Sequence, residues 1–289
     1  TTYFSASVFI GFAGKQGWGF GPSALLIGVG NALVGALAAW AILAKRTRRM
    51  TQNLDTMTMP EFLEARYQSE HIKMISAVII FIFLLPYSAS IFKGLGHLFE
   101  STFHISFDFA LIILVVITGI YLVLGGYFAV TVTSFIQGII MLVGAVIMIC
   151  VLVYKAGGLT EAITTVNTNY PEHVPVAQQP SWLTIASLIF MTSVGSWGLP
   201  QMVQKFYAIK NEKVIPKAAI ITTIFALVIG ITAYGSGILS HVFFDNNTVP
   251  KLANGGVNYD QIMPNLLAIK LPEALLAIIM LLILSASMS

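Results

Sequence analysis

The sequence predicts an all-α integral membrane protein. Of its 289 residues, 57% are hydrophobic and only 9% are charged, whereas a soluble domain has about 25% charged residues. The apolar residues form long runs, and about 20 such residues are needed for a helix to cross about 30 Å of hydrocarbon. Because these runs are continuous rather than alternating, they favour helices over strands. The net charge of +3 is small, and nucleic-acid binding is not expected.

Eight runs are candidates for membrane-spanning helices. They cover residues 1–15, 20–44, 74–99, 108–125, 131–154, 183–204, 217–244 and 273–289. The first and last are interpreted as truncated, which makes the chain a fragment of a longer protein. Gly125 and Gly126 predict a tight turn between the fourth and fifth runs. A short helix is expected at 61–68, with Pro60 near its first turn.

Lysine and arginine predict the orientation of the chain. The loops after the second and sixth runs hold ten of them: Lys45, Arg46, Arg48, Arg49, Arg66, Lys73, Lys205, Lys210, Lys213 and Lys217. The opposite loops hold Lys155, Lys251 and Lys270. Because cytoplasmic loops carry an excess of basic residues, the first set is expected on the cytoplasmic side. The polar loops 157–181 and 245–271 are then extracellular.

Two runs are interrupted, at corresponding positions of the two halves of the chain. The first interruption lies in residues 5–14 (SASVFIGFAG) and the second in residues 195–200 (GSWGLP). A helix that breaks inside a bilayer leaves backbone groups that must line a cavity or bind a ligand. Such paired breaks are the best sequence indication of the central site of a transporter.

Acidic residues argue against an enzyme. All twelve fall in loops or at the ends of runs, and no metal-ligand motif or catalytic nucleophile motif is present. Hydroxyls and backbone carbonyls remain, and these hard oxygen donors suit an alkali cation. Candidate donors are the carbonyls of Thr1, Phe4 and Ala286 and the hydroxyl of Ser289. The alternative for each hydroxyl is a bond to its own preceding helical turn.

The chain resembles the sodium:solute symporter family. The resemblance is carried by the segments 5–14, 98–101 (LFES), 125–130 (GGYFAV) with Gln137, 198–201 (GLPQ) and 285–289 (SASMS). It implies the leucine-transporter architecture of two inverted five-helix repeats. Here one repeat would cover 1–156, an extracellular loop 157–182, and a truncated second repeat 183–289.

The resemblance also implies a set of binding residues. One sodium ion would bind between the first and eighth predicted helices through Thr1, Phe4, Ala286 and Ser289. Some members of the family bind a second sodium ion through an aspartate, and Ser134 stands at that position here. The substrate set would be Ser5, Ser7, Val8, Tyr87, Lys93, Thr192 and Ser196. Three of these, Ser7, Thr192 and Ser196, stand where proline carriers have aromatic residues, which favours a different solute.

Lys93 has two interpretations. It lies about six residues inside the outer end of the third run, which is roughly 9 Å deep. Its stem is long enough to bring the ammonium group back to the interface. Alternatively, the ammonium pairs with a carboxylate of the substrate or replaces a cation.

The function predicted from these features is sodium-coupled import of a small organic solute by alternating access, with Na+ as the coupling ion. The solute class is an amino acid, a carboxylate, a vitamin or a sugar. The expected location is the plasma membrane, the inner membrane of a bacterium, with lipid as the surrounding partner. The alternatives are a passive channel and a transporter-like sensor module of a signalling protein.

Overall fold

The computed structural model describes the backbone of residues 7–103, 105–209 and 211–288. Within these ranges, the side chains not described are those of residues 7, 10, 98, 101–103, 121, 122, 126–131, 133, 201, 282 and 284–288. The described chain is helical apart from its connections and one isolated antiparallel bridge between Lys251 and Val257. The predicted all-helical class is confirmed.

Twelve α-helices are present in the described residues. They are α1 Ala13–Phe20, α2 Ala24–Gly30, α3 Lys45–Leu54, α4 Met59–Tyr67, α5 Glu70–Phe103, α6 Phe107–Lys155, α7 Leu159–His173, α8 Trp182–Trp197, α9 Pro200–Tyr207, α10 Ile215–Phe243, α11 Tyr259–Lys270 and α12 Glu273–Met288. Single 3-10 turns occur at Gly21–Ser23, Val176–Gln178 and Glu212–Val214.

Three segments of the first two predicted spans are π-helical. They are Ser7–Phe12, Asn31–Ala38 and Trp40–Ala44. Such helices account for well under 1% of residues in globular proteins, and they often occur at functional sites. Their positions therefore direct attention to the first two spans.

Five helical stretches in the described residues are long and apolar enough to cross a membrane. They are Ala13–Leu54, Glu70–His97, Phe107–Gly125, Ser134–Lys155 and Glu212–Phe243. They correspond to five of the predicted runs. Of the other three, 1–15 is described only from residue 7 onward, 183–204 is divided between α8 and α9, and 273–289 contains the 16-residue α12. The count of eight spans stays a prediction.

The predicted turn at Gly125 and Gly126 is not what the structure shows. Both residues lie inside α6, which runs through 49 residues. Glycine disfavours a helix by only about 1 kcal/mol relative to alanine, and the flanking residues are apolar with no proline between them. The backbone therefore continues as a helix where the sequence predicted a reversal.

The short helix predicted at 61–68 is confirmed as α4. Thr58 Oγ1 accepts a hydrogen bond from the backbone N–H of Glu61, and the Glu61 carboxylate accepts bonds from the N–H groups of Met57 and Thr58. This reciprocal arrangement satisfies backbone donors that the helix itself leaves unpaired. The bonds from Met57 and Thr58 lower the pKa of the Glu61 carboxyl.

Contacts between Cα atoms divide the chain into two compact units. The first consists of Thr1–Leu25, Ala89–Ser181 and Val228–Ser289. In it, α12 packs against α6, and α1 packs against α11. The buried residues Met141, Met148 and Leu152 recur on one face of α6, as Ile279 and Ile283 do on α12. Spacings of three, four or seven residues place such side chains on a single helix face.

The second unit consists of Leu26–Ser88 and Trp182–Leu227. Here the π-helical segment Asn31–Ala38 packs against α8, and α3 packs against α9. A buried apolar cluster forms from Ala39, Ala44, Phe206 and Ile215. Helix α9 is thereby held to the end of the second span.

Large apolar side chains point outward from the long helices. On α5, Phe81 is 67% and Phe83 is 71% exposed, and on α6 Val123 is 84% exposed. A monomer in water rarely shows apolar surface of this extent, whereas lipid solvates it. The exposure fits helices that face hydrocarbon, in agreement with the predicted multi-pass membrane protein.

Candidate functional site

The interruption predicted in the sixth run is present in the second unit. Helix α8 ends at Trp197, Gly198 forms a turn, Leu199 is extended, and α9 begins at Pro200. Proline favours the first turn of a helix because its missing N–H would be unpaired there in any case. Glycine and proline together therefore explain why one helix ends and another begins within four residues. The sequence prediction of a break at 195–200 is confirmed.

A polar cluster precedes this break. The hydroxyl oxygen of Thr192 lies 2.7 Å from Asn31 Oδ1, and the hydroxyl oxygen of Ser193 lies 2.9 Å from the same atom. Thr192 also lies 2.8 Å from the carbonyl oxygen of Leu188. One hydroxyl has one hydrogen to donate, so Thr192 shares it between the two acceptors. The cluster joins α8 to the π-helical segment of the second span.

Small residues allow this close approach. A Cβ atom on Gly30 would lie 2.6 Å from Cγ2 of Ile189, which is closer than real carbon atoms come. This supports the helix-packing role that small residues have in membranes. On the same side, the indole N–H of Trp197 donates to the carbonyl of Val34 at 3.1 Å. The last residue of α8 is therefore anchored to the second span.

The hydroxyl of Ser196 is also engaged. It donates to the carbonyl oxygen of Ser193 at 2.6 Å, a bond to its own preceding turn. Thr192 and Ser196 are thus brought together on α8, one turn apart and just before the break. Their donor hydrogens are committed within the protein, while their oxygen lone pairs remain acceptors.

The interruption of the first run is described only in part. Residues 7–12 form a π-helical segment, followed directly by α1. In this segment Val8 is half-buried and Phe9 is fully buried. A π-helical turn departs from the usual hydrogen-bond pattern and widens the backbone. Ser5 lies outside the described residues, and Ser7 is described by its backbone alone.

The predicted sodium ligands fall almost entirely outside the described residues. Thr1, Phe4 and Ser289 are not described, and Ala286 is described only by its place in the backbone of α12. The sodium set stays a prediction. In the described residues, no group of three or more histidine, cysteine or acidic side chains is placed to hold a metal ion.

The remaining predicted substrate residues lie on α5. Tyr87 is half-buried there. The ammonium Nζ of Lys93 lies 2.5 Å from Oδ2 of Asp260, which is at the start of α11. The lysine therefore has an acidic partner, which its sequence context did not reveal, at the end of the loop predicted to be extracellular. Ser134, which replaces the aspartate of a second sodium site, is half-buried on α6.

Asn31 is the residue that sequence reasoning missed in this region. It is the single amide side chain within the apolar run 20–44. This isolation is the feature of the sequence that could have identified it. A polar side chain in a membrane span is costly unless it has partners. The hydroxyls of Thr192 and Ser193 supply such partners.

On the predicted cytoplasmic side, a charged cluster holds the end of α9. Arg48 Nη1 donates to the backbone carbonyl of Tyr207 at 2.7 Å, where a cation is favoured by the helix C-terminus. Arg49 makes a two-bond ion pair with Glu212, and Lys45 Nζ lies 3.8 Å from the same carboxylate. Burial raises the pKa of the Tyr207 hydroxyl. The cluster fastens the inner half of the broken helix to α3.

Comparison with known proteins gives a consistent result. A model of the sodium:solute symporter family matches residues 1–289. Among curated relatives, the sodium/proline symporter 2 of Staphylococcus saprophyticus and the sodium/proline symporter of Staphylococcus aureus are each 34% identical over 201 residues, 68% of this chain and 39% of the relative. The chain thus spans well under half the length of these relatives.

A solved structure shows the same fold. It is described as the substrate-bound outward-open state of a Na+-coupled sialic acid symporter, and it matches 99% of this chain and 62% of that chain. The TM-score is 0.70 and the sequence identity is 21%. This likeness confirms the leucine-transporter type of fold. Because the family model covers all 289 residues, the chain belongs to the sodium:solute symporter family.

Proposed function

We propose that this chain forms the core of a sodium-coupled symporter that imports a small organic solute by alternating access. The observation that carries the proposal is the interruption between α8 and α9, with Thr192 and Ser196 in the turns before it. Inside a membrane, a non-helical backbone is tolerated where it lines a cavity. Family membership supports the same conclusion and favours a transporter over an enzyme.

The coupling ion in this proposal is Na+. It would bind to the carbonyls of Thr1, Phe4 and Ala286 and to the hydroxyl of Ser289, which are the ligand types that a hard cation prefers. The ion would hold the first predicted span (1–15) against the eighth (273–289). The solute would then bind to a pocket that is already formed. Ion and solute must then raise each other's affinity by the same factor.

The solute would bind near the two broken helices. The proposed contacts are Ser5, Ser7, Val8, Tyr87, Thr192 and Ser196. Lys93 would join them only after leaving Asp260, with which its ammonium group is paired. Two inverted repeats, 1–156 and 183–289 with the loop 157–182 between them, would provide the alternating movement. The protein would act in the plasma membrane of a bacterium, as its staphylococcal relatives suggest.

The test uses the full-length protein that contains this chain. A thermal-shift screen over amino acids, carboxylates, vitamins and sugars, in sodium and in potassium, identifies the solute, because a ligand stabilises the folded state by mass action. Uptake of that solute into proteoliposomes is then measured with and without an inward sodium gradient. We expect accumulation only with the gradient. Equal uptake without it would indicate a passive channel, and binding without uptake would indicate a sensor.

A double variant tests the site itself. Thr192→Val with Ser196→Ala removes the two hydroxyls before the break and is expected to raise the KM for the solute about tenfold, the effect of one lost hydrogen bond. The matched control is Thr164→Val on α7, where the hydroxyl makes the same kind of bond to the carbonyl of Thr160 at 2.9 Å. An unchanged KM in the double variant would remove these residues from the site.

A further inference from the structure

Three aromatic rings are stacked at the outer end of α1 in the first unit. The ring centroids of Trp18 and His241 are 4.4 Å apart with an interplanar angle of 18°, and those of Trp18 and His173 are 5.0 Å apart at 7°. The two imidazoles are nearly parallel to each other, with centroids 5.1 Å apart and an interplanar angle of 19°. Trp18 is 2% exposed and His241 is fully buried. None of these rings belongs to the proposed transport site.

The hydrogen bonds of the two histidines determine where their protons lie. His241 Nε2 is 2.9 Å from the carbonyl oxygen of Trp18. A carbonyl oxygen only accepts, so His241 must carry a hydrogen on Nε2. His241 Nδ1 lies 2.8 Å from His173 Nδ1. In a neutral His241 ring Nδ1 is an acceptor, and His173 must therefore donate from its own Nδ1.

This arrangement limits how many protons the pair can bind. One proton added to Nε2 of His173 makes that ring cationic and leaves both hydrogen bonds intact. A second proton has only His241 Nδ1 to bind, because Nε2 of that ring is already protonated. Two N–H groups would then face each other at the position of the present bond, and two positive rings would be in contact. The second proton therefore requires the two rings to separate.

The same rings lie where three helices are joined. His241 belongs to α10, His173 to α7 and Trp18 to α1. Close by, Tyr170 of α7 donates from its hydroxyl to the carbonyl of Gly19 at 3.2 Å, and Asn169 donates to the carbonyl of His241 at 2.9 Å. Separation of the rings would thus weaken the attachment of α1, which follows directly after the first interrupted segment.

Charged neighbours act on the outer member of the pair. Burial lowers the pKa of the His173 imidazole, while the carboxylates of Asp245 and Glu172 partly oppose that effect. The groups around His241 are the imidazole of His173, the ring of Tyr170 and the carbonyls of Gly17 and Trp18. The acidic neighbours therefore favour the first proton on His173 rather than on His241.

We propose that His173 and His241 form a proton-binding site that controls how firmly α1 is attached to α10 and α7. The site binds one proton without losing a hydrogen bond and releases α1 when it binds a second. Because loops 157–181 and 245–271 are predicted to be extracellular, the site responds to the pH outside the cell. This inference concerns the attachment of α1 and holds whichever solute is carried.

The first measurement is nitrogen NMR of the full-length protein in lipid nanodiscs, labelled with ¹⁵N-histidine and titrated from pH 8 to pH 4. Assignment uses His173→Asn and, as a control, His71→Asn on the cytoplasmic side. At pH 8 we expect one ring protonated on Nδ1 (His173) and one on Nε2 (His241). On acidification, His173 should become an imidazolium first, and His241 should keep its Nε2–H form until the second proton binds at lower pH. An Nε2–H form of both His173 and His241 at pH 8, or simultaneous titration of these two rings, would overturn the proposal.

The second measurement follows the attachment of α1. Amide hydrogen exchange of residues 13–20, corrected for the intrinsic effect of pH, should rise about tenfold when the second proton binds, as expected for the loss of a hydrogen bond. His173→Asn should abolish this rise, because an asparagine amide can turn either its nitrogen or its oxygen towards His241. His71→Asn should leave the rise unchanged. A rise that persists in His173→Asn would contradict the proposed site.

Discussion

Lys93 of α5 and Asp260 of α11 form an ion pair, with Nζ and Oδ2 separated by 2.5 Å. Their side chains are 59% and 38% exposed, respectively. Exposed pairs of this kind contribute only about 0–1 kcal/mol to stability. The significance of the pair is therefore its position, since it joins α11 to the third predicted span.

Substitutions at this pair test whether Lys93 interacts only with α11 or also with the solute. Lys93→Ala and Asp260→Ala are each expected to increase amide exchange in residues 259–270 by up to about fivefold, the factor that corresponds to an exposed ion pair. The double variant Lys93→Asp with Asp260→Lys should restore the exchange rate of the parent protein. A loss of solute affinity in Lys93→Ala that exceeds the loss in Asp260→Ala would show that the lysine also meets the solute.

Removal of the Asn31 amide should loosen the second unit. Asn31→Leu deletes the acceptor of two hydroxyls, and hydrogen bonds between membrane helices contribute about 0.6 kcal/mol on average. We expect a lower thermal midpoint for the full-length protein in detergent. In a double-mutant cycle with Thr192→Val, the coupling energy should be about 0.6 kcal/mol. Additive effects would mean that Thr192 relies on its bond to Leu188 instead.

Gly237 is expected to tolerate no side chain. A Cβ atom there would collide with the backbone carbonyl of Ala13, and one on Gly17 would collide with the backbone of Gly237. Overpacking of this kind typically costs about 1–3 kcal/mol. Gly237→Ala should therefore lower the thermal midpoint of the purified protein. The control is Gly19→Ala, since a Cβ on Gly19 has nothing within 4 Å; an equal loss in both variants would refute the explanation.

The N-terminus of α4 gives a prediction of pH dependence. The Glu61 carboxyl has a lowered pKa in the folded protein, so its contribution to stability is present above the ordinary value and is lost as pH falls through the lowered value. Amide exchange in residues 59–67, corrected for the intrinsic effect of pH, should accordingly rise on acidification below about pH 4, near the ordinary pKa of glutamate.

The capping bond itself is tested by substitution at Thr58. Thr58→Ala should destabilise α4 by about 1 kcal/mol, the usual effect of losing an N-cap side chain. Thr58→Ser keeps the hydroxyl and serves as the control. Parent-like exchange in the alanine variant would show that Glu61 alone holds this helix end.

Local chemistry explains which parts of the fold were predictable. The start of α4 near Pro60 and the break at Pro200 are decided by residues within one or two helical turns, so the sequence predicted both. The glycine pair at 125 and 126 was misinterpreted because glycine permits a turn without requiring one. The arrangement of repeats is not determined by local chemistry, and it stays a prediction that the family resemblance implies.

The polar partnerships were not predictable because they join distant segments. Asn31 and Thr192 are separated by 161 positions and Lys93 and Asp260 by 167. Nothing in the residues around His241 indicates that His173 will stack against the same indole. Such pairs depend on how the helices pack, which the periodicity of a single segment does not specify.

Because Gly17 and Gly237 are in contact, few substitutions are tolerated at either position. Each residue is already the smallest available, so no compensating change in one can make room for a larger residue in the other. Elsewhere in the helices a lost methyl group on one side can be balanced by a gained one opposite. At this crossing the two positions are instead constrained together, and variants of the chain should change them only where the helices themselves move apart.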